Sequence, residues 1–261
     1  MATALTELVQ ARGLLRNLVA RDLNSRYKGS AFGIAWSLLN PLMLMAVYTV
    51  VFSTVIRFDP PGDVSYPMFF MAGFLPWTFF AMAVTLGAGT LVQNAGRIQK
   101  IWFPREVLPL SMSIAALINM LIGVVAYVPF AYAIQGISVR GSLLLVPVTA
   151  ALFVFGTSMA MLLSVITVYF RDTEFLLSNL MTAWFFLSPV VYDVSDVPDE
   201  YVWLFRLNPV TPFVEAYRDV FVRVLMPKTS TMIACGAIAV GTAAVALVVF
   251  RRLTGRIAEE L

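Results

Sequence analysis

Six stretches of this chain hold no Asp, Glu, Lys or Arg: 31–56, 67–92, 107–134, 142–170, 175–192 and 230–250. A helix of about 20 mainly apolar residues crosses the ~30 Å hydrocarbon core of a bilayer. In lipid every backbone N–H and C=O must be bonded internally, so only helices and closed barrels can span it. Barrel strands are shorter and alternate in polarity, and these runs do neither. The expected fold is an all-α polytopic membrane protein with six transmembrane helices, the fifth near the lower length limit. Composition agrees: 13% of residues are charged, against about 25% in soluble domains.

Lys and Arg placement orients the spans, because cytoplasmic loops carry the excess. With the N-terminus inside, the inner segments hold Arg12, Arg16, Arg21, Arg26, Lys28, Arg97, Lys100, Arg105, Arg171, Arg251, Arg252 and Arg256. The outer segments hold Arg57, Arg140, Arg206, Arg218, Arg223 and Lys228, half as many. Both termini are therefore expected in the cytoplasm, with no cleavable signal peptide and no soluble appendage. The chain reads as one membrane domain, 1–261.

Several chemistries have nothing to work with. The sequence has no histidine and a single cysteine, Cys235, so His-based catalysis, His metal sites and internal disulfides are excluded. No metal site is expected. The spans offer no ionisable group to bind a coupling ion, which argues against an ion-coupled carrier or channel. A phosphate-binding GxxxxGK[ST] loop is absent as well. A transporter built this way needs its energy from another chain, and nothing points to nucleic acid.

Three non-spanning segments carry a pattern. In 1–30, Leu5, Leu8, Val9, Leu15, Leu18, Val19 and Leu23 recur at helical spacing among Arg12, Arg16 and Arg21. This fits a basic helix lying in the cytoplasmic interface. The inner loop 93–106 is compact, basic and aromatic. It offers Gly96, Arg97, Lys100, Trp102, Phe103 and Arg105 as a docking element for the energy-supplying chain. The outer segment 193–228 is expected to form two short helices that dip into the membrane and return, with a break at Asn208-Pro209. Within it, Glu215, Arg218, Asp219 and Arg223 share one face, expected to be reachable by polar reagents. Phe213, Tyr217, Val220, Phe221 and Val224 share the other, expected to be shielded.

Four motifs in order, RDLNSRYKGSAFGIAWSLLNPL, NAGRIQKIWFPREVLPL, YFRDTEFLL and FRLNPVTPFVEAYRDVF, carry a family resemblance. The chain resembles the permeases of type-two ABC exporters, specifically the polysaccharide-export branch of O-antigen, capsule and teichoic acid permeases. The resemblance implies a homodimer of six-span subunits in the bacterial inner membrane, bound to two copies of a cytoplasmic ATPase. It implies a cargo polymer on an undecaprenyl-type lipid diphosphate. The chain itself would be a transport subunit and not an enzyme, with ATP and Mg held by the ATPase and no cofactor of its own. The same fold serves type-two exporters of drugs or small lipids, which is the nearest alternative. Spans one and five are implied to border the passage, making Trp36, Tyr48, Phe52, Trp184 and Phe185 candidate conduit aromatics. Arg21, Arg26, Lys28, Gly29 and Ser30 lie where a lipid diphosphate would arrive, with Arg as a bidentate phosphate fork. Asn208, Pro209, Glu215, Arg218 and Asp219 are the candidate outer gate.

Overall fold

A computed structural model describes residues 11–29, 32–55, 57, 64–100, 102–136 and 138–254. Among them every regular element is helical. Helix α1 is Arg12–Tyr27, followed by a 3-10 turn at Gly33–Ala35. Then come α2 (Trp36–Thr49), continued by wider π-type turns over Val50–Val55, and α3 (Tyr66–Ala88). Two single turns, α4 (Thr90–Gln93) and α5 (Ala95–Ile98), lead to α6 (Val107–Gln135) and α7 (Val139–Tyr169). Helix α8 is Thr173–Leu187, α9 is Val202–Leu207, α10 is Thr211–Phe221 and α11 is Thr229–Thr254.

Among the described residues four helices are long and apolar enough to cross a membrane: Tyr66–Ala88, Val107–Ile134, Arg140–Tyr169 and Thr229–Thr254. They match the second, third, fourth and sixth charge-free runs. The first and fifth runs form shorter helices, for local reasons. Gly29 and Gly33 take φ of 81° and 50°, which separates α1 from α2 and delays the start of α2. Helix α8 stops where Ser188 turns extended ahead of Pro189, because the proline ring disfavours the helical region for the residue before it. Its 15 residues rise about 22 Å.

Helix α3 is the hub. It packs against α6, α7 and α10, while α1 lies along α6 and α11 along α7. Its Phe69, Phe70, Phe79 and Phe80 are wholly buried, so these rings pack helices together and do not face lipid. A second cluster gathers at one end of the bundle, where Leu18 of α1, Leu91, Ile98, Val107 and Leu108 meet Val165 and Val168 of α7 and Phe250 of α11.

Candidate functional site

The inner-loop candidates sit on a pinned corner at that end of the bundle. Buried Asn94 donates from Nδ2 to the Thr90 carbonyl (2.8 Å), and its Oδ1 accepts from Arg97 Nη1 (2.7 Å). Arg105 Nη1 donates to the Thr254 carbonyl at the C-terminus of α11. Phe103 packs against the second cluster. Trp102, between these anchors, is 80% exposed, with Gly96, Arg97 and Lys100 also outward. A large aromatic held out among basic residues on a fixed backbone is a surface shaped for contact.

Along α1, Leu18 and Val19 are buried while Arg12, Arg16 and Arg21 are exposed. Leu5, Leu8 and Val9 lie outside the described residues, as does Ser30. Lys28 and Gly29 are exposed after the last turn. Arg26 is not an open fork. Its Nε donates to Asp22 Oδ2 at 2.8 Å, and Nη2 lies 2.8 Å from the same oxygen, off the hydrogen-bond direction. Nη1 reaches Met82 Sδ at 3.7 Å. The sequence reading missed Asp22, although its i,i+4 spacing to Arg26 was the available signal. Beyond Arg26 a cavity of about 330 Å³ opens among α1, α2, α3 and α6.

The five conduit aromatics do not form one surface in a single subunit. Tyr48 stacks on Phe70 at 4.6 Å and Phe52 on Tyr66 at 5.2 Å, joining α2 to α3. Phe185 is buried beside Tyr48 and Trp77. Trp184 meets Phe80 edge-on and donates from Nε1 to Asn208 Oδ1 at 3.0 Å. Trp36 stands apart, edge-on to Phe32 and partly exposed.

The outer segment departs from expectation in an informative way. Two short helices, α9 and α10, do flank Asn208-Pro209. Asn208 joins them to the end of α8, donating from Nδ2 to the Leu187 carbonyl (3.0 Å) and Ser188 Oγ (2.9 Å). The charged face, however, is only partly solvated, with Glu215 and Arg223 half-buried. Arg218 is 0% exposed and Asp219 is buried. Arg218 donates to the Tyr192 carbonyl (3.0 Å) and the Val190 carbonyl (2.9 Å), with its guanidinium carbon 3.7 Å from the Phe69 ring centre. Arg223 bonds Glu215 and Asp219 at 2.7 Å each and Asp193 at 2.9 Å. Burial works against ionising Asp193, but two hydrogen bonds from Ser195 and the charge of Arg223 hold its carboxyl below the ordinary range. Val224, expected to be shielded, lies past the helix end with φ of 55° and is exposed. The charges face inward because unpaired carbonyls at 190 and 192 need a donor, which spacing along α10 does not reveal.

Comparison with known proteins fixes the family. The profile described as ABC-2 type transporter matches residues 13–222. The chain belongs to the ABC-2 type transporter family. One similar ABC-2 relative is the O-antigen export system permease protein RfbA of Myxococcus xanthus, 33% identical with 92% of each chain covered. Another is the protein of the same name from Klebsiella pneumoniae, 30% identical over 80% of each. The polysialic acid transport protein KpsM of Escherichia coli is 24% identical, over 77% of this chain and 78% of that one. The ABC-2 match takes in every candidate residue, from Arg21 to Asp219, and stops before α11. The inner corner, the Arg26 cavity and the buried charge cluster are therefore all parts of the ABC-2 region.

Proposed function

We propose that this chain is the transmembrane subunit of an ATP-driven exporter that moves a lipid-diphosphate-linked polysaccharide out of the bacterial cytoplasm. The observation that carries this reading is the 33% identity, over 92% of both chains, to an O-antigen export permease. Two copies of the chain pair, and runs one and five complete six crossings in each, with α1 lying in the cytoplasmic interface. Two copies of a cytoplasmic ATPase bind ATP and Mg. The 96–105 corner transmits their closure to the spans, because Arg105 ties it to the end of α11 and Asn94 ties it to the short turn α4 that follows α3.

The coupling role has a direct test. Replacing Trp102 and Phe103 together by Ala removes the exposed anchor and its half-buried neighbour. Export of surface polysaccharide is expected to fall at least tenfold, with the permease still in the membrane and ATP hydrolysis no longer cargo-stimulated. Wild-type export and ATPase binding in that variant would refute the coupling assignment.

Arg21, Arg26, Lys28 and Gly29 form the proposed loading site for the lipid diphosphate, close to headgroup depth. Since Asp22 occupies the Arg26 fork, the diphosphate must displace that carboxylate, and Arg21 and Lys28 supply the first attraction. Arg26→Lys combined with Lys28→Arg keeps net charge and topology but loses the fork. Export should drop severalfold at unchanged membrane insertion. Full export would leave these residues as topology markers only.

A further inference from the structure

The cavity behind Arg26 has a lining unlike the rest of the bundle. Arg26, Trp36, Asn40, Thr78, Asn119 and Gly123 border it, with Met and Phe side chains between them. Two amides, a hydroxyl and an indole thus converge on one cavity between apolar helices. Polar side chains within spans are costly and mark functional paths.

The electrostatics of the cavity select its ligand. Among the described lining residues Arg26 is the one with a charge, and Asp22 neutralises it at 2.8 Å. An anion entering here would compete with a carboxylate already in place. A neutral polyhydroxyl ligand would not, because it uses donors and acceptors and not net charge. Donors and acceptors of both kinds are at hand. Arg26 Nη2 is buried beside Asp22 Oδ2, 2.8 Å away, without a well-directed hydrogen bond to it. Thr78 donates to the Phe74 carbonyl at 2.8 Å, which leaves its oxygen as an acceptor. Asn119 donates to the Ala115 carbonyl at 3.0 Å, which fixes the amide plane toward Met82 and the cavity. Trp36, 39% exposed, contributes an aromatic surface suited to the C–H face of a sugar ring. The volume of about 330 Å³ falls at the small end of the range for ligand sites.

We infer that this cavity binds a neutral hexopyranose, the sugar next to the diphosphate of the cargo, through Asn40, Thr78, Asn119 and Trp36. The inference rests on the exporter reading above and extends it from the phosphate to the first sugar. Arg26, held by Asp22, stands at the junction between the two.

The test uses the full chain in lipid nanodiscs and two synthetic probes, a short polyprenyl diphosphate and the same lipid diphosphate bearing one hexopyranose. Wild type is expected to bind the glycosylated probe about tenfold more tightly, the equivalent of one or two good hydrogen bonds. In Asn119→Leu, and separately in the gentler Thr78→Val, that preference should shrink to about twofold or less, with affinity for the sugar-free probe retained. Equal binding of both probes by wild type would overturn the sugar site. So would a variant that loses affinity for both probes in proportion, since that would be a structural or phosphate effect. Polysaccharide export by cells, measured beside the binding, separates the two readings. Export without sugar preference removes the cavity assignment and leaves the exporter standing, whereas preference without export does the reverse.

Discussion

Arg218→Met is expected to destabilise the folded protein by about 3–5 kcal/mol, the usual loss when one partner of a buried charged cluster is removed. Three things go at once. The Val190 and Tyr192 carbonyls lose their donors, at 2.9 and 3.0 Å. The Phe69 face loses a cation 3.7 Å from its centre. Asp193, Glu215 and Asp219 are left with Arg223 as the single arginine among them, so the cluster carries two uncompensated charges instead of one. Met fills most of the volume, so the loss reports electrostatics and hydrogen bonds more than a cavity. Arg223→Met should cost less, because its side chain is 32% exposed and water screens the charges left behind. Denaturation in mixed micelles would rank the two. Equal stabilities, or a larger loss at Arg223, would contradict the burial described for α10. The effect bears on transport as well, since Arg218 fastens α10 to the turn after α8. Without it α10 loses its tie to that turn.

That cluster also shows where the sequence stops being legible. Long helices announce themselves: run 107–134 and helix Val107–Gln135 nearly coincide, as do run 230–250 and Thr229–Thr254. Absence of charge over such a length leaves the backbone no option in lipid but a helix. The inner corner was legible too, because Trp102 and its basic neighbours are unusual between two spans. Facing was not legible. Glu215, Arg218 and Asp219 have the same helical spacing whether they meet water or the interior, and what decides is a pair of backbone carbonyls about 28 residues upstream. The apolar runs hide their facing more completely. Asn119 and Thr78 are single polar letters in long hydrophobic strings, and nothing local brings them together with Arg26. The short first and fifth helices show the complementary limit, in which hydropathy gives the length of a run while Gly33 and Pro189 give the length of the helix.

The second large effect is expected where α3 crosses α7. A Cβ added to Gly87 would lie 2.4 Å from Ala160 Cβ and 3.1 Å from its Cα. Neither atom can swing aside, so the helices would have to separate by about 1 Å to restore an ordinary carbon contact. Phe79 and Ala83 face Gly156 on the same seam, which therefore loses its fit along several turns. Small residues permit such close crossings in membranes, where packing, not water exclusion, holds helices together. Gly87→Ala gains about 1 kcal/mol of helix propensity, yet overpacking of this kind costs about 1–3 kcal/mol, so a net loss is expected, and a larger one for Gly87→Leu. Gly89 supplies the control. An added Cβ there meets Glu174 Oε1 and Gln93 Nε2, the ends of flexible side chains, and Gly89→Ala should stay within about 0.5 kcal/mol of wild type. The decisive measurement is a double-mutant cycle, because Ala160→Gly removes the methyl that Gly87→Ala would strike. Each single change should destabilise, and the double should recover at least about 1 kcal/mol relative to their sum. Strict additivity would mean that α3 and α7 do not cross at this distance. Gly87 stands six residues before the inner loop 93–106 that carries Trp102. Wedging the crossing open should therefore also displace the coupling element, and export by Gly87→Leu should fall further than its remaining folded fraction explains.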